Sequence, residues 1–309
     1  MRNLLEIREW YRQMYSRHGA VIEAGAKFLA VLLSVIMINS SIGAMSVLKN
    51  PVVVIGVSLV CAVVPKSLMV LILAMIIVAH IYAISMETAA FVLVVLLIMF
   101  MLFFRFSAGD SFVLILVPVL FLLKIPFVVP IAIGLLATPF SMVSVAFGTM
   151  LYFIMDYIST NKSEMMSAAS TDGTGIMSDM ANSVFTNQSM YLIIIAFCVV
   201  IAAVYVIRKL SAPHSWLIAV GAGTIIDLVI MIIGSISFGV GDVLSVPAII
   251  IGNIISMLLA ALICLMVHNV DYARTENVQF EDDDYYYYVK AVPKVKASVR
   301  GRKSGRRYK

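Results

Sequence analysis

The chain has 309 residues, of which 62% are hydrophobic and 13% charged, with a formal net charge of +5 and a mean hydropathy of +1.04. Soluble domains carry about a quarter charged residues, so too little polar surface is present to cover a water-facing globule. The apolar runs are continuous rather than alternating, which excludes a membrane β-barrel and leaves spanning helices as the only fully hydrogen-bonded alternative.

The expected fold is therefore an all-α polytopic membrane protein with about ten transmembrane segments, some short or re-entrant. A small cytoplasmic C-terminal β-hairpin and a basic tail complete it. Residues 1–26 place Leu4, Ile7, Tyr11 and Met14 at helical spacing, with Arg8, Arg12 and Arg17 on other faces. Trp10, Tyr11 and Tyr15 suit a headgroup zone, which predicts a cytoplasmic amphipathic interfacial helix; a solvated helix is the blander alternative. The first apolar run begins near Lys27 with no small-residue cleavage pattern after it, so it reads as a retained span.

The transmembrane domain is expected over 27–267, with apolar segments at 27–45, 51–65, 67–86, 89–104, 111–123, 126–137, 139–158, 190–207, 216–234 and 246–267. A polar loop is expected over 159–189. Basic residues cluster before the first span (Arg2, Arg8, Arg12, Arg17, Lys27), at Arg208 and Lys209, and in the tail, where nine follow from Lys290 onward without an acid. Placing these clusters inside gives cytoplasmic N- and C-termini, an even number of crossings and an external 159–189 loop. Lys66 and Arg105 also fall inside, whereas Lys49 and Lys124 lie outside or snorkel outward. Cys61, Cys198 and Cys264 sit within apolar runs as fillers.

Two stretches are too short and too broken for upright spans: Pro51 to Pro65, and the run through Pro118, Pro126 and Pro130 to Pro139. Proline removes a helix donor and crowds the preceding turn. Paired interrupted segments are the best sequence pointer to a transporter's binding site; tight hairpins between tilted helices are the alternative. Ionisable or polar groups at membrane depth are functional candidates. His80, Asp227 and Asn253 qualify, as pathway or packing residues, with His80 a conceivable partner of Asp227. Asp227 could instead join Asn253 or Thr224 in an interhelical hydrogen-bond cluster. Asp156 and Glu87 read as interface residues.

Beyond His268, 277–281 and 285–292 are strand-like around the acidic turn Asp282-Asp283-Asp284, a hairpin signal. A lone hairpin is marginal in water, which makes Phe280, Tyr285, Tyr286, Tyr287 and Tyr288 candidates for docking on a partner. The tail's Arg300, Arg302, Lys303, Arg306 and Arg307 are candidate contacts for anionic lipid headgroups; the nearby membrane is favoured over nucleic acid as their partner. No cofactor, metal set, nucleophile–base pair or paired acids support an enzyme.

The stretch from Lys124-Ile125-Pro126 to Gly148, together with Glu276 to Tyr288, resembles bacterial polytopic membrane proteins described as permeases of ABC-type transporters. That resemblance implies a transport component in the plasma membrane, handling an unidentified solute. No phosphate-binding glycine loop is present, so an ATPase would be a separate subunit. The competing expectation is a non-transporting envelope scaffold that recruits cytoplasmic partners through the hairpin and tail; homo-oligomerisation is compatible with both.

Overall fold

The structure, a computed structural model, describes residues 2–168, 173–210, 212–237, 245–267 and 276–291. It divides into two units, Val21–Cys264, and Met1–Ala20 with Leu265–Lys309. Eleven helices are described: α1 Arg2–Ser41, α2 Pro51–Val63, α3 Lys66–Tyr82, α4 Met86–Phe106, α5 Ser111–Leu122, α6 Val128–Leu136, α7 Met142–Ala168, α8 Gly173–Phe185, α9 Gln188–Arg208, α10 Ser215–Ser237 and α11 Val246–Val267. Two strands follow, β1 Glu276–Glu281 and β2 Tyr286–Ala291.

All ten predicted apolar segments are helical, but only six described helices are long and apolar enough to cross a membrane. These are Gln13–Ser41 within α1, Pro139–Ser167 around α7, and α4, α9, α10 and α11. The remaining four segments form α2, α3, α5 and α6. The stretch 159–189, expected as a loop, is largely helical: α7 runs on to Ala168 and α8 occupies 173–185. Its polar composition masks an apolar face, because Met165, Met180 and Val184 are buried and Phe185 meets Phe91 edge to face at 6.4 Å. The expected interfacial helix is continuous with the first span except at His18, whose φ of −128° and ψ of 28° break the helix.

Local sequence explains where the helices begin. Asn50 accepts from the Val52 N–H ahead of Pro51 at the first helical position of α2, the preferred order of cap and proline. Ser85 and Asn187 cap α4 and α9 in the same way.

Long-range contacts within Val21–Cys264 define two ends of the bundle. At one, Glu23 bridges Lys66 at 3.1 Å, Lys27 donates to the Val64 carbonyl, and Lys66 lies over the Phe112 ring. Ser107 bonds Ser144 at 2.7 Å, and Arg208 donates to the Leu135 and Ala137 carbonyls. At the other end, Lys162 donates to the Ile42 and Gly43 carbonyls, and His80 bonds Asn39.

The α5–α6 segment is thus a hairpin that begins and finishes at the Arg208 end. Its twelve- and nine-residue helices reach about 18 and 14 Å at 1.5 Å per residue, too short for a hydrocarbon core of about 30 Å. The turn is a Schellman-type stop: Lys124 takes φ 61°, and Ile125 N–H donates to the Leu120 carbonyl. Pro126 then prevents continuation. Phe121 stacks on Tyr152 at 4.5 Å and Phe127 meets Phe197 edge to face, wedging the hairpin between α7 and α9. Gly134 and Gly223 both pack on Val204, where an added Cβ would collide; small residues here let α6 and α10 close on α9.

The hairpin of β1 and β2 is antiparallel, with Phe280 opposite Tyr287 and Val278 opposite Val289. Asp282 accepts from the backbone N–H of Asp284 and Tyr285 and from the Tyr287 hydroxyl, so the first aspartate of the turn is occupied by the hairpin itself.

Arg208→Ala should strand the last carbonyls of α6. Charge-assisted hydrogen bonds contribute about 1.5–3 kcal/mol each, so the detergent-solubilised variant should unfold at a clearly lower temperature than wild type, with Arg208→Lys intermediate.

Candidate functional site

The polar residues singled out at membrane depth separate into two places. His80, fully buried on α3, accepts the Met45 N–H at Nδ1 (3.1 Å) and pairs Nε2 with Asn39 Oδ1 (2.8 Å). Asn39 in turn donates to the Leu48 carbonyl. A ring that accepts at Nδ1 and donates at Nε2 is a neutral imidazole with both nitrogens committed. His80 therefore ties down the connection between α1 and α2, and its bonded partners do not include Asp227.

The prolines of the broken hairpin are all buried. Pro118 lies within α5, Pro126 in the turn, and Pro130 at the third position of α6. Only Pro118 interrupts a helix ladder, since Pro130 replaces an N–H that the helix start leaves free in any case. A cavity adjoins Pro118, bounded by Met37 of α1, Leu73 of α3, Phe103 of α4 and Phe147 and Leu151 of α7. Its polar lining residue, Ser34, spends its hydroxyl on the Ala30 carbonyl. Such a cavity stays dry. At Pro118 the broken hairpin thus borders an apolar cavity.

The polar cluster lies on the other side of the hairpin, on α10 and α11. Asp227, Asn253 and Ser256 are each fully buried. The Asn253 amide lies against the Asp227 carboxyl, yet no hydrogen bond of good geometry closes between them. Both carboxyl oxygens, Asn253 Oδ1 and Ser256 Oγ are without partners. The Asn253 Nδ2 is donated instead to the Ile249 carbonyl of its own helix. Thr224, the other predicted neighbour, spends its hydroxyl on Val220. Gly252 brings α11 against the α5–α6 turn: a Cβ there would stand 2.8 Å from the Phe127 ring and 3.2 Å from the Lys124 carbonyl oxygen. The acid, the amide and the broken hairpin, singled out separately in the sequence, are neighbours. Ser256, three positions after Asn253, lies on the same helix face.

Tyr285, Tyr286, Tyr287, Tyr288 and Phe280 are exposed on the hairpin. The register puts Val278, Phe280, Tyr287 and Val289 on one face, with Phe280 and Tyr287 stacked at 4.9 Å. Tyr286 and Tyr288 point to the opposite face with Glu281 and Gln279. Arg300, Arg302, Lys303, Arg306 and Arg307 lie outside the described residues. Among the described residues no group of three or more His, Cys, Asp or Glu side chains could hold a metal.

No family model, curated protein or solved structure matches the chain.

Two measurements test these local assignments. His80→Ala would leave the Met45 N–H and Asn39 unsatisfied at a buried site and should cost about 1–3 kcal/mol, read as a drop in thermal stability; a neutral outcome would contradict the hydrogen-bonded role. In the hairpin, the Tyr287 hydroxyl first, then the Asp284 and Tyr285 N–H groups, hold the Asp282 carboxyl below its ordinary range. The same bond holds the Tyr287 phenol above its own. The Asp282 contribution is present above the ordinary carboxylate pKa of about 3.9 and disappears as pH falls through the lowered value. The Tyr287 contribution is present below about 10 and disappears as pH rises through the raised value. Subtracting the tyrosinate absorbance titration of Tyr287→Phe from wild type should therefore isolate a component that ionises later than the other exposed tyrosines.

Proposed function

We propose that this protein is a membrane transport component of permease type, acting on an unidentified solute. The observation that carries this reading is the meeting of a broken helical hairpin with a buried, unpartnered carboxyl–amide–hydroxyl cluster. In a passive anchor such a cluster is simply a cost, because buried polar groups without partners destabilise a fold. In transporters, discontinuous helices and midplane polar groups form the binding site.

The end-to-end contacts support eight crossings on this reading. α1, α2, α3, α4, α7, α9, α10 and α11 each traverse the bundle, and the α5–α6 hairpin enters and leaves on one face. α8 then lies at the opposite face. Eight crossings return the chain to its starting side, which puts Lys66, Arg105 and Arg208 on that same side. By the distribution of basic residues this side is the cytoplasm, in a plasma membrane. Lys49 and Lys162 lie at the external end.

The resemblance of 124–148 and 276–288 to ABC-type permeases points to a separate ATPase subunit as the energy source. The apolar stripe of Val278, Phe280, Tyr287 and Val289 favours a second reading, a scaffold that recruits a cytoplasmic partner through the hairpin, with the basic tail held at anionic lipid.

Water access separates the two readings. With Cys61, Cys198 and Cys264 replaced by alanine, Ser256→Cys in native membranes should react with a small, membrane-impermeant thiol reagent, because a transport cycle must hydrate the cluster. A thiol at 256 that stays unreactive from both faces would sink the transport reading and favour the scaffold.

A further inference from the structure

We infer that Asp227, with Asn253 and Ser256, forms a proton-binding site at membrane depth, in which the carboxyl group is carried as the acid and exchanges its proton when water reaches it. The inference rests on the transport reading only for the use made of the proton.

Three physical facts support it. First, among the described residues no cation accompanies the carboxyl. Asp227 is the sole ionisable side chain of α10, α6 carries none, and α11 contributes only Cys264. On α9 the ionisable groups are Tyr191, Cys198, Tyr205 and, at its last residue, Arg208, whose guanidinium is committed to the α6 carbonyls and stands over Tyr205 and Trp216. At the α5–α6 turn, Lys124 offers its charge to Asp156 on α7. An unpaired carboxylate in this setting would bear a desolvation penalty of several kcal/mol.

Second, the neighbouring amide can pair fully with a carboxylic acid and not with a carboxylate. Asn253 has one amide hydrogen engaged with Ile249. Its second hydrogen and its Oδ1 remain for Asp227. An acid O–H donating to Oδ1, with the amide N–H donating back to the acid carbonyl, closes both bonds; loss of the proton leaves Oδ1 facing a like acceptor. Asn253 Oδ1 and both Asp227 carboxyl oxygens are unpartnered in the structure, so all are available to the pair.

Third, the site adjoins the element best placed to admit water. Gly252 keeps α11 against the Lys124 carbonyl and the Phe127 ring, so displacement of the α5–α6 turn would uncover the residue next to Gly252. Proton release then writes simply: the Asp227 O–H breaks, water accepts the proton, and the Asn253 N–H and Ser256 O–H turn to the carboxylate left behind.

Infrared difference spectroscopy on the full-length protein in lipid nanodiscs tests this directly. At neutral pH, wild type minus Asp227→Asn should show one protonated-carboxyl carbonyl band, which bleaches reversibly as the pH is raised. Asn253→Leu should move that band to higher frequency, because the bonds to the acid are lost; this arm stands even if Asp227→Asn fails to fold. Absence of the band from neutral pH down to the acid range would overturn the proposal. So would a band that bleaches on addition of sodium ions at constant pH, which would make the cluster a metal-cation site. Either failure is distinct from failure of the transport reading, whose test is thiol reactivity at position 256.

Discussion

The structure depends on satisfying the backbone carbonyls at the ends of its helices. The last turn of any helix leaves four carbonyls without intrahelical partners, and in hydrocarbon each unpaired group costs several kcal/mol. Three basic side chains from distant parts of the chain do this work. Lys162 of α7 reaches the end of α1, Lys27 of α1 reaches the end of α2, and Arg208 of α9 reaches the end of α6. A cation also suits the negative end of the helix dipole. Each contact fixes where a helix terminates, and two of them hold helices of 13 and 9 residues in a bundle with six helices long and apolar enough to cross a membrane.

The same contacts explain what the sequence disclosed and what it hid. Apolar runs are governed by local composition, so all ten appear as helices where expected, and the 276–291 hairpin follows from strand-like residues around an aspartate turn. Depth is a tertiary property. Nothing in Val128–Leu136 states that the segment turns back to its starting face; that follows from Arg208, more than 70 positions away in the chain. The 159–189 stretch was misleading for a related reason. Its buried face uses only a few methionines and valines among polar residues, which suffices for α8 to pack on α4 and α7 and is too sparse to read as a span.

His80 and Asp227 show why depth alone does not identify a functional group. Both are fully buried in apolar helices, and both are costly on the same grounds. His80 recovers that cost through two hydrogen bonds that organise the α1–α2 connection, so its presence is accounted for by structure. Asp227 recovers nothing from any bond of good geometry. Its oxygens, those of Asn253 and Ser256, and the α5–α6 turn are held together by the close approach that Gly252 permits. The distinction between a structural and a functional polar residue here is the completeness of its hydrogen bonding.

That contrast separates the cavity beside Pro118 from the α10–α11 cluster. The space beside Pro118 is lined by aliphatic and aromatic side chains, with its one hydroxyl already spent on its own helix, and offers an ion or polar solute no replacement for its hydration. The α10–α11 cluster offers four oxygen atoms with unspent hydrogen-bonding capacity but is closed. On the proposed transport reading, a polar path has to be made by movement. The α5–α6 hairpin borders both places: it packs on α7 and α9, its turn is closed by its own backbone bonds, and its far end is fixed by Arg208. Aromatic contacts of Phe121 with Tyr152 and of Phe127 with Phe197 oppose displacement through packing. The hairpin is anchored by hydrogen bonds at its base and by ring contacts toward its tip, and the tip meets Gly252, the residue before Asn253.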